Sequence, residues 1–80
     1  MMTVTEILLL YGFRYSGRCT CMGPKTDKYK KGTYAVYWSK REKKVRLKNH
    51  GKAITVAMPE IELEDAIKKF IPQEAQNALN

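Results

Sequence analysis

An α+β fold follows from three observations: stretches of helical periodicity near both ends of the chain, period-two alternation between them, and turn residues separating the alternating runs. The expected architecture is a three- to four-stranded antiparallel sheet with an N-terminal and a C-terminal helix packed on one face, in the order helix, four strands, helix. Eighty residues allow one domain, expected over residues 1–72, with 73–80 as a frayed polar tail.

The opening helix is announced by Thr3-Val4-Thr5-Glu6, a capping box in which Thr3 and Glu6 satisfy each other's backbone N–H. Val4, Ile7, Leu8 and Tyr11 fall on one face, and Gly12 supplies the stop. From Phe13 the period becomes two: Phe13, Tyr15, Gly17, Cys19 and Cys21 share one face, and Arg14, Ser16, Arg18 and Thr20 the other. Gly23-Pro24 breaks this strand, and Lys25 to Gly32 reads as a mobile polar loop carrying Lys28, Lys30 and Lys31 around Tyr29.

Thr33 to Ser39 is rich in β-formers, turns through Lys40 to Lys43, and returns as Lys44 to Lys48, with Val45 and Leu47 opposite Lys44, Arg46 and Lys48. Asn49-His50-Gly51 is a turn, and Ala53 to Met58 a fourth strand with Ile54, Val56 and Met58 in phase. The closing helix begins at Pro59-Glu60 and places Leu63, Ala66, Ile67, Phe70 and Ile71 on one face. Pro72 ends it. Both helices need bulky partners on the sheet, which assigns Tyr34, Val36 and Trp38 to the core and leaves Tyr37 on the exposed face.

Charge is segregated along the chain. Of its fifteen Lys and Arg residues, thirteen lie between Gly12 and Lys52, where the only acids are Asp27 and Glu42. The flanks are net acidic, which brings the formal charge to +7. A solubilising surface mixes both signs, whereas an excess of one sign is best explained by an anionic partner. Arg14, Arg18, Lys44, Arg46 and Lys48 around Tyr37 on a bare sheet face are suited to phosphates and to a stacked base, so nucleic acid, DNA or RNA, is the expected partner. Lys28, Lys30 and Lys31 are expected to add contacts from the loop. The alternative is a protein-interaction or inhibitor module docking on an acidic protein surface.

Other classes find less support. The longest apolar run, Ile7 to Tyr11, is far too short to cross a bilayer, and Met1 to Glu6 lacks the positive charge that opens a signal peptide. A cytoplasmic protein without membrane contact is expected. Cys19 and Cys21, two apart in a strand, would sit about 7 Å apart on one face, too far for a relaxed disulfide, so they read as reduced, packed thiols. Together with His50 they fall short of the four ligands of structural zinc, and no metal or cofactor is expected. Glu60, Glu62, Glu64 and Asp65 suit the positive end of the closing helix better than a metal site.

The order of elements is similar to that of the small messenger-RNA-cleaving toxins built on a double-stranded-RNA-binding-like fold, which use a single strand histidine. The likeness covers the whole chain and is one of topology alone. No Gly-Ser-His motif is present, His50 falls in a turn, and no catalytic role passes to it. A binding module without enzymatic activity or small-molecule substrate is the expectation.

Overall fold

The computed structural model describes residues 2–19, 23 and 25–72. The tail expected at 73–80 lies outside the described residues, as do Thr20, Cys21 and Pro24. Helix α1 (Val4–Leu10) leads into strands β1 (Arg14–Cys19), β2 (Thr26–Lys31), β3 (Tyr34–Ser39) and β4 (Lys44–Asn49), followed by the short β5 (Lys52–Ala53) and β6 (Met58–Pro59). One 3-10 turn, Glu60–Glu62, then opens helix α2 (Leu63–Phe70). The antiparallel sheet runs β1-β2-β3-β4-β5, with β6 also paired to β4. The α+β class is therefore as expected, with more strands than the expected three or four.

Helix α1 forms where its cap dictates. Thr3 Oγ1 accepts from the Glu6 amide at 3.1 Å and the Thr3 amide donates to Glu6 Oε1 at 2.8 Å, satisfying donors that a helix start leaves open. Gly12, at φ 88°, ends the helix and lets Phe13 turn into the core, where it is wholly buried. Val4, Leu8 and Phe13 meet Leu63, Ala66, Ile67 and Ile71 of the closing segment over Tyr29, Val36, Val45 and Leu47 of the sheet. Both helices thus lie on one face. Tyr11 Oη donates to Glu64 Oε2 at 2.8 Å and joins α1 to α2.

Four sequence expectations change. The segment read as a mobile loop is β2, the strand between β1 and β3, whose only core-forming aromatic, Tyr29, pairs with Val36. Backbone pairing on both sides and one buried ring outweigh its weak strand propensity. In β1 the register shifts between Tyr15 and Gly17, so Ser16 is an extra residue and Gly17 sits at φ 119°. This β-bulge reverses the alternation, so Arg14 and Arg18 lie on opposite faces. The expected fourth strand is split into β5 and β6 by a bend, leaving Val56 exposed while Ile54 and Met58 pack on the core. Cys19, expected to be a free thiol, is disulfide-bonded. Since β1 ends at Cys19, the spacing of an uninterrupted strand does not govern it.

Candidate nucleic-acid interface

The ladder pairings define the face opposite the helices. Its three rows are Arg14–Lys30–Ala35–Lys48–Ala53, then Gly17–Lys28–Tyr37–Arg46, then Cys19–Thr26–Ser39–Lys44. Six of these positions are Lys or Arg, and none is acidic. Along one strand, successive cations are about 6.8 Å apart; adjacent strands are separated by about 4.8 Å.

The side chains shape these rows into a trough. Its floor is β3, where Ala35, Tyr37 and Ser39 are buried although neither α1 nor α2 covers them. Its walls are Lys28 and Lys30 on β2 and Lys44, Arg46 and Lys48 on β4, two strand spacings apart, or about 9.6 Å. Lys48 Nζ lies 4.8 Å and Lys28 Nζ 5.6 Å from the centroid of the Tyr37 ring. The two lysines cover the ring, leaving Tyr37 8% exposed. Tyr37 is therefore on the expected face but is not the exposed ring that was expected. Cation–π attraction holds the ammonium groups above it. Arg46 is steadied by an Nε donation to the Thr55 carbonyl at 3.4 Å.

The expected residues divide into two groups. Arg14, Lys28, Lys30, Lys44, Arg46 and Lys48 share the outer face with Tyr37, and Lys28 and Lys30 do so as strand residues. Arg18 pairs with Asp27, and Lys31 with Tyr34, on the helix side. Lys31 Nζ is buried there with no hydrogen-bond partner among the described residues, next to Tyr34, Ile71 and Pro72. His50 is exposed at φ 52° and, with Gly51 at φ 80°, forms the two-residue loop joining β4 to β5. Positive φ at both central positions marks a type I′ turn. Among the described residues, no three of His, Cys, Asp and Glu lie together as a metal-binding group, and no helix is long and apolar enough to cross a membrane.

Residues missed by the sequence reading are Ala35 and Ser39, which lower the floor of the trough. Their signal was available: both are in phase with Tyr37 on β3. Comparison with known proteins finds no family model, no curated protein and no solved structure that matches the chain.

Proposed function

We propose that the chain is a nucleic-acid-binding module that holds one strand of DNA or RNA by its phosphates along the trough of the outer sheet face, without chemical turnover. The observation carrying this reading is the pair of cationic walls on β2 and β4, with no acid between them. Phosphates are met by flexible ammonium and guanidinium groups, and such contacts position a backbone without reading its sequence. Stacking on Tyr37 has no part in this reading, since Lys28 and Lys48 cover the ring.

The test is a fluorescence-anisotropy titration with labelled single-stranded and double-stranded oligonucleotides at several salt concentrations. Single strands should bind more tightly, with a log–log salt slope of roughly −0.7 per phosphate contacted, and about four contacts. Charge reversal by Arg46→Glu with Lys48→Glu should abolish binding with the fold intact. Absence of low-salt binding in the unaltered protein would sink the reading, and an acidic protein partner would then lead. His50→Ala should change affinity by less than about twofold, a neutral imidazole adding little phosphate attraction. RNA cleavage that vanishes in that variant would instead make this an enzyme.

A further inference from the structure

Arg18, carried by the bulge to the helix side of the sheet, is not isolated there. Together with Lys25, Lys40 and Arg41 it lines a depression around Asp27. Asp27 is buried, and its carboxylate pairs with Lys40 Nζ at 3.1 Å. One carboxylate offsets one of four cations, so the depression keeps a surplus of three positive charges. Lys40 is also held 5.0 Å from the centroid of the Trp38 ring, and Trp38 Nε1 donates to Glu60 Oε2 at 2.6 Å. Glu60 keeps its negative charge in that bond, but it does not line the depression.

The position of this depression follows from the ladder. Cys19, Thr26, Ser39 and Lys44 form the last row at one end of the sheet. Lys40 and Arg41 follow Ser39 in the turn to β4, and Lys25 immediately precedes β2. The basic wall ending at Lys44 on the outer face thus continues round this end of the sheet into the depression. At the opposite end the helix side offers the apolar surfaces of Tyr34, Ile71 and Pro72 around a single cation, Lys31, whose ammonium is buried.

We infer that the Arg18–Lys25–Lys40–Arg41 depression holds a phosphate of the same strand after it passes over this end of the sheet, so that nucleic acid wraps the β3–β4 turn. The inference rests on the nucleic-acid reading of the trough. Its consequence is a site longer than the outer face: a short oligonucleotide fills the trough alone, whereas a longer one gains the second site.

The experiment measures affinity and salt slope for single-stranded oligonucleotides from about 4 to about 16 nucleotides, the span of known single-fold sites. It compares the unaltered protein, Arg18→Gln with Arg41→Gln, and Arg46→Gln with Lys48→Gln. Arg18 and Arg41 are exposed, so their replacement should leave the fold intact. The expected result is that the first variant binds the longest oligonucleotide about tenfold more weakly, with a slope shallower by roughly 0.7 for the one lost phosphate contact. It should bind the shortest one as the unaltered protein does. Asp27→Asn, which removes the negative charge, should tighten the longest complex and leave the shortest alone. Unchanged long-oligonucleotide binding in the first variant, alongside weakened binding in the second, would overturn the wrapped path and leave the trough standing. Equal losses at every length would also overturn it, since general charge attraction would then suffice. Lack of binding by the unaltered protein overturns both readings.

Discussion

The two faces of the sheet are drawn from the same four long strands, yet they are kept folded by different means. On the helix side, Tyr29, Val36, Val45 and Leu47 are sealed under α1 and α2 with Phe13 and Leu8. On the outer side, Ala35 and Tyr37 are also buried, though less completely, and what covers Tyr37 is the lysines on the neighbouring strands. The first cover is apolar and permanent. The second is made of two lysine side chains. On the proposed reading, stability and binding are separated across one sheet thickness, and a strand such as β4 would serve both, with Val45 and Leu47 in the core and Lys44, Arg46 and Lys48 in the wall.

The strongest way to break this comparison is to delete a large core side chain. Phe13→Ala removes a wholly buried ring and should cost about 3 to 5 kcal/mol, measured by urea denaturation. Lys48→Gln, on the outer face, should stay within about 0.5 kcal/mol. A loss of similar size in both would mean that the outer cover is part of the core and that the two faces are not separate in function.

How much of this was legible in the sequence depended on how much apolar patterning each element carries. The first helix is found from its capping box and apolar stripe, the closing helix from its apolar stripe and flanking prolines, and β4 from the alternation of Val45 and Leu47 with cations. β2 is missed because only Tyr29 among its six residues is apolar, so two of the three positions on its helix-side face are written in Asp27 and Lys31. Period-two reasoning also carries Arg18 to the wrong face, because a single extra residue, Ser16, is invisible to a count of alternation. The cationic character of the outer face was readable from composition. The trough was not, because its depth depends on which strand lies between the two walls.

The bulge offers the next test. Gly17 at φ 119° occupies backbone space that side chains rarely adopt, although a Cβ there would meet no atom within 4 Å. Gly17→Ala should therefore destabilise by strain alone, by about 1 to 3 kcal/mol, read from the same urea melts. If the bulge gives way to relieve that strain, hydrogen exchange at the β1–β2 amides should rise while the β3–β4 amides stay protected. A neutral result would show that β1 can abandon this register cheaply, and the placement of Arg18 on the helix side would lose its support.

The smallest expected effect bears most directly on the outer face. Tyr37→Leu keeps an apolar floor under Lys28 and Lys48 and removes only the π-face. If the ring serves to seat the lysines, the loss is one of cation–π attraction, about 0.5 to 1 kcal/mol for each lysine at a site open to water. Free lysines still reach phosphates, so the affinity for a single-stranded oligonucleotide should fall by about threefold or less, and the salt slope should not change. A ring that stacks on a base would behave differently: its removal costs about 1 to 3 kcal/mol, with the slope equally unaffected because no phosphate contact is lost. A loss beyond tenfold at constant slope would therefore mean that Lys28 and Lys48 lift off Tyr37 on binding and that bases, as well as phosphates, enter the trough.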